Sequence, residues 1–239
     1  MHRIIALIAL LAIGTPSGMV LAQGYPGGAG QMGPSQIGGA GGRGASHQEE
    51  LTSTSSPEKP DKAAAKAYAS GMKSLNKAHE LEDVIAKSTD PDKRAKAADK
   101  LGDAYGAALD HFTEVLRNKG DMYDAWNEVG FVHLRLGAYR ESIDDYNHAL
   151  TLKPDLPAAV ANRALAYLMT DRLEEAKSAY MDLFFHERPL ADDLMVHMQD
   201  WVQRHRAAAD GVRPADLDSF DKWVTERGGI AKTAAAGAN

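Results

Sequence analysis

Beyond residue 61, apolar side chains recur along the chain at helical spacing, and long β-branched runs bounded by turn residues are scarce. In Ala125–Pro154, Trp126, Val129, Gly130 and His133 share one face at i, i+3, i+4, i+7, which predicts a first helix. Gly137 should end it, because glycine enters the left-handed turn conformation freely. A second helix carries Tyr139, Ile143, Tyr146, Ala149 and Leu150, and Lys153-Pro154 stops it, since proline disfavours helix in the residue before it. The flanks read the same way. Lys62 to Lys87 holds Tyr68, Met72, Leu75, Leu81 and Ile85, and Asp90-Pro91 opens another helix. Leu190, Leu194, Met198, Trp201 and Val202 form a further stripe, Gly211 to Pro214 interrupts, and a last helix follows. Gly228 to Asn239 reads as a frayed tail.

The pattern repeats. Shifted forward by 34 residues, Gly130 falls on Ala164, His133 on Tyr167, Tyr139 on Leu173, Ser142 on Ala176 and Tyr146 on Tyr180. Shifted back, Tyr105, Ala108, Phe112, Val115 and Leu116 fall under Tyr139, Ser142, Tyr146, Ala149 and Leu150. Small residues such as Gly130 and Ser142 would let paired helices approach closely, while Trp126 and Tyr146 fill space between pairs.

Trp126, Val129, Gly130, His133, Ser142, Tyr146 and Pro154 follow W-x2-L-G-x2-Y…A-x3-F…P, so the chain resembles the tetratricopeptide repeat family. The next unit keeps Ala164, Tyr167, Ala176 and Tyr180, departs at Val160 and Arg163, and has its closing proline, Pro189, one residue late. The likeness is specific for Tyr123 to Pro189. It is partial for Pro91 to Asn118, where Lys96 and Asp99 replace Gly130 and His133, and it is absent at both ends. It implies an all-α fold: a short right-handed α-solenoid of antiparallel helix pairs, with degenerate capping helices and eight or nine helices in all. The expected organisation is an N-terminal helical part over 62–122, two repeat units over 123–190, capping helices over 191–227 and the tail over 228–239.

In this family the first helix of each pair lines a concave groove. Carried over by position, the resemblance places Asp124, Asn127, Phe131, Leu134 and Arg135 there, then Ala158, Ala161, Leu165, Leu168 and Met169. Such a groove is largely apolar with a polar edge, and suits a protein partner offering an apolar peptide or helix. The flanking helices are a competing occupant.

Composition and charge narrow the class. A formal charge of −6 without a clustered basic face argues against nucleic acid. The absence of cysteine removes disulfides, thiolate metal sites and thiol nucleophiles. Residues 1–22 read as a cleavable signal peptide: Arg3, an apolar run from Ile4 to Ile13, Gly14-Thr15-Pro16, and Val20-Leu21-Ala22 before the cut. The apolar run is short for a membrane core of about 30 Å, so cleavage and a bacterial periplasmic location are expected. Residues 23–61 are rich in Gly, Ser and Pro and read as a disordered leader. Gly28-Ala29-Gly30-Gln31-Met32-Gly33 matches a dinucleotide fingerprint, but neither strand nor helix frames it.

Candidate chemistry is sparse. His186, His197 and His205 lack the close pairing that zinc sites use, and "HELED" at His79 has no second histidine at the spacing of H-E-x-x-H. Asp144-Asp145 and Asp192-Asp193 read as solvated helix faces. No nucleophile elbow or P-loop occurs. The expected function is a non-enzymatic interaction module with no cofactor and no metal. Asp192, Asp193 and Asp200 within the Trp201 stripe argue against membrane association. The alternative is an envelope-attached structural component, held by an uncleaved signal or by that stripe.

Overall fold

The computed structural model describes residues 62–208 and 212–236. The expected signal peptide and leader lie outside the described residues. Eight α-helices and no strand occur among those described: α1 (Lys62–Lys87), α2 (Pro91–Asn118), α3 (Tyr123–Arg135), α4 (Tyr139–Leu152), α5 (Pro157–Leu168), α6 (Leu173–His186), α7 (Arg188–Ala208) and α8 (Pro214–Ala236). Consecutive helices pack as pairs, and first helices also touch across pairs, α3 with α5 and α5 with α7. This is a tetratricopeptide-like helical solenoid.

Local chemistry sets the boundaries. Asp90 caps α2 by accepting from the Asp92 and Lys93 amides at 2.9 and 3.2 Å, with Pro91 in the first turn. Gly137 turns the chain after α3 at φ 78°, and the Ala138 amide donates to the His133 carbonyl at 2.9 Å. One repeat later Asp171 occupies the same place at φ 57°, and the Arg172 amide donates to the Tyr167 carbonyl at 2.9 Å. The turn survives because aspartate tolerates the left-handed region better than most side chains.

Within each repeat the core forms where small meets large. Gly130 abuts the Tyr146 ring, and the Ser142 hydroxyl donates to the Gly130 carbonyl at 2.8 Å. Tyr146, Ala149, Ala164, Ala176 and Tyr180 are fully buried, and Tyr167 is nearly so. Tyr139 is half-buried and Pro154 exposed. Trp126 differs from the expected space-filler: it is half-exposed, stacks on His148 with ring centroids 4.5 Å apart, and donates from Nε1 to the Gly120 carbonyl at 2.8 Å.

The first pair corrects the partial repeat expected within Pro91–Asn118, which is one unbroken helix. Asp103 stands 34 residues before Gly137, yet here the helix runs on. Instead α1 supplies the facing helix, and its Gly71 abuts Phe112 as Gly130 abuts Tyr146. Gly71 and Phe112 are 41 residues apart, against 16 for Gly130 and Tyr146, so this hairpin is the longer one.

The last helices also depart from expectation. Pro189 lies in the first turn of α7 rather than closing α6. Leu194, Met198 and Trp201 continue the 34-residue register from Val160, Ala164 and Tyr167, and α7 packs against both α5 and α6 as a further first helix would. All three are buried with Val202, so the stripe faces the core. Where a frayed tail was expected from Gly228, α8 continues to Ala236. Gly228 is itself buried, with its Cα beside Gln199 and Met195 of α7.

Candidate functional site

The first helices α3 and α5 carry the ten positions expected to line a groove. Phe131, Leu134, Arg135, Ala161 and Leu168 are buried. Asp124, Asn127, Ala158, Leu165 and Met169 are half-exposed. The covered half is occupied by this chain's own helices. Phe131 meets His79 of α1 edge-to-face, centroids 5.8 Å apart, and Leu134, Ala161 and Leu168 share one apolar cluster with Met195 and Met198 of α7.

Arg135, expected at the polar rim, is sealed into the seam between the first two pairs. Its Nη2 donates to Glu82 of α1, and its Nε donates to the Tyr105 hydroxyl of α2 at 3.1 Å. That hydroxyl donates to the same Glu82 oxygen at 2.7 Å. Every member of the triad is thereby used. Burial and the Glu82 carboxylate both hold the Tyr105 phenol protonated well above its ordinary range, although the Arg135 charge opposes them. What stays accessible is a carboxylate, an amide and the apolar Ala158, Leu165 and Met169.

Nearby sits a residue the sequence did not single out. Glu128 is buried on α3, and burial pushes its carboxyl up to about 7; Asn127 opposes the rise by donating from Nδ2 at 3.3 Å, and Asp124 adds to it. Burial likewise raises Asp124, against the pull of Lys153, whose ammonium lies 4.7 Å from the Tyr123 ring centroid. The only signal available in sequence was register: Asn162, 34 residues later, is a second buried polar side chain at the same position.

The histidines do not assemble a centre. His186 is exposed beside Asp182, His197 is buried, and His205 stacks on Trp201 with centroids 3.8 Å apart. His133 Nδ1 lies 2.6 Å from Asp145 Oδ2, but the Ser142 hydroxyl, the nearest serine in sequence, is committed to a main-chain carbonyl. Among the described residues no three His, Asp or Glu side chains converge as a metal site, and no helix is long and apolar enough to cross a membrane.

The fold defines a tetratricopeptide-like helical solenoid. The chain is similar to the Photosystem I assembly protein Ycf3 of Cyanophora paradoxa, at 26% identity over 113 residues, 42% of this chain. It spans 65% of the length of that curated relative. No family model matches the chain.

Proposed function

We propose that this chain is a non-enzymatic adaptor of the bacterial envelope, which holds a protein partner against the accessible part of its inner face. Residues 1–22 would direct export to the periplasm, and residues 23–61 would tether the solenoid. The observation that carries the reading is the pairing of a repeated 34-residue register with inner helices whose half-exposed side chains are chiefly apolar, Leu165 and Met169, beside the hydrogen-bonding Asn127. Apolar area supplies binding energy, while an amide and a carboxylate orient a peptide main chain. Similarity to a protein named for assembly supports a role in bringing other proteins together. Attachment to the envelope through the Trp201 stripe loses support, because that stripe is buried.

The test is photo-crosslinking in intact cells from a benzophenone residue replacing Leu165, with exposed Ser178 of α6 as the control position. A discrete adduct from Leu165 alone supports the inner face as the binding surface. Adducts from neither position in a folded protein overturn it. Osmotic-shock fractionation tests location, and an unprocessed chain retained in the cytoplasm removes the envelope part of the reading.

A further inference from the structure

The long first hairpin packs on Val129, Phe131 and Val132 of α3 through its own apolar core, and at the two ends of α1 that contact is flanked by seams of different chemistry. One is the Glu82–Tyr105–Arg135 triad, where each charge has its counter-charge. The other lies at the opposite end of α1, where Ala64, Ala67 and Tyr68 pack with Val115 of α2 and Ala125 of α3. Glu128 sits one helical turn beyond Ala125 and is only 8% exposed. Tyr68 of α1 packs in the same cluster as Ala125, Asp124 lies one turn before Glu128 on its own helix, and the Glu128 charge is felt by both Tyr68 and Tyr146 of α4. The groups contributed by α2 to this seam, Val115 and Leu116, are apolar. Glu128 forms no ion pair among the described residues, and the neutral Asn127 donates to it over a long 3.3 Å. Lys153, a nearby cation, is engaged with Tyr123, to whose hydroxyl it donates at 3.5 Å, and its charge also pulls on Asp124.

A buried carboxyl in such company is tolerated when protonated and costly when ionised. We propose that the α1–α3 seam is a proton-controlled joint: loss of the Glu128 proton loosens the docking of the first hairpin on the repeats, and regaining it reseats the hairpin. The triad acts as the hinge end, because its guanidinium and carboxylate are paired with each other and with the Tyr105 hydroxyl. Opening exposes Glu128 to water and to the ordinary carboxylate range near 4.5. Docking is therefore tightest below that range, weakens as pH rises towards about 7, and changes no further above it. The consequence is a conformational response near neutrality that does not depend on what the inner face binds.

Hydrogen exchange on the full chain at pH 5 and pH 7.5, corrected for intrinsic rates, reads the joint directly. The expected result is a rise of roughly 10- to 100-fold in the opening equilibrium of residues 62–75, with α5 and α6 unchanged. Glu128→Gln abolishes that rise. Asp124→Asn retains it but moves its midpoint to lower pH, since a neighbouring negative charge has gone. Protection of residues 62–75 that is equal at both pH values in the wild type overturns the proposal, as does a Glu128→Gln protein that keeps the pH response. Should Glu128→Gln fail to fold, an unmoved midpoint in Asp124→Asn overturns it instead.

Discussion

A methyl group placed on the Cα of Gly130 would come within 3.1–3.2 Å of the Tyr146 ring carbons, closer than ordinary van der Waals contact. The same construction at Gly71 reaches the Phe112 ring at 2.6–2.9 Å, and at Gly228 it meets the Gln199 side-chain nitrogen at 2.9 Å. Phe112 and Tyr146 are fully buried and have little room to yield, whereas Gln199 is half-exposed and swings aside. Alanine itself gains about 1 kcal/mol of helix propensity over glycine. Three substitutions should therefore rank by neighbour: Gly71→Ala destabilises by about 1–3 kcal/mol, Gly130→Ala by less, and Gly228→Ala is neutral or stabilising. Urea unfolding of the three variants checks the order.

Tyr146 and Trp126 hold equivalent rank in the repeat pattern but not in the structure. Tyr146 has no exposed surface, so Tyr146→Ala removes a full ring from the core and should cost about 3–5 kcal/mol. Trp126 keeps one side to solvent and loses a stack on His148 and one hydrogen bond, so Trp126→Ala should cost about 1–2 kcal/mol. Equal costs in chemical unfolding would mean that the two rings share the same environment.

The Glu82–Tyr105–Arg135 triad predicts a strong coupling. Arg135→Met leaves a carboxylate without its counter-charge in the seam, a loss of about 3–5 kcal/mol. Adding Glu82→Leu removes the orphaned charge, and most of the stability should return. A double-mutant cycle reads this directly, and additive losses would show that the pair carries no mutual stabilisation.

Sequence pattern made the two central helix pairs legible because the 34-residue shift survives there at Gly130, Tyr146, Ala164 and Tyr180. It failed at α1 because that hairpin is lengthened, so Gly71 does its work out of register with Gly130. The turn at Asp171 was hidden for a different reason: an aspartate does what glycine does at 137, and residue type alone does not announce it. Leu194, Met198 and Trp201 kept the register yet read as a capping stripe, since no second helix follows at the usual spacing. The inner-face positions followed from family geometry, but their burial depended on partners far along the chain. Arg135 meets Glu82 across 53 residues, and periodicity within one helix carries no information about that contact.

Asp171 also offers a stabilising change. A non-glycine residue at φ 57° carries a steric cost that glycine does not, and the Asp171 side chain is exposed. Asp171→Gly should raise stability by a few tenths to about 1 kcal/mol, while Gly137→Ala, at φ 78°, should lower it by about 1 kcal/mol. Opposite signs in thermal unfolding would confirm that the two turns are equivalent, and a loss at both positions would show that the Asp171 side chain does more than tolerate its conformation.

His197 gives the pH dependence an opposite limb to that of Glu128. Burial holds its imidazole below the ordinary range; the Asp193 and Asp200 charges pull it up, and those of Arg204 and Arg135 push it down. The folded chain therefore resists a proton that the unfolded chain accepts. Below the ordinary imidazole pKa of about 6.5 this penalises folding, and the penalty disappears as pH rises through that value. His79, lowered mainly by burial as well, acts in the same sense. The Glu128 contribution runs the other way over an overlapping window, from about 4.5 to about 7, so the wild-type profile is a difference of the two. Single variants separate them. His197→Phe should lose the gain in stability between pH 5 and pH 7 that the histidine supplies, and Glu128→Gln should lose the decline. Thermal unfolding across that range decides the matter: a His197→Phe profile parallel to the wild type would place the His197 imidazole in solvent rather than in the core.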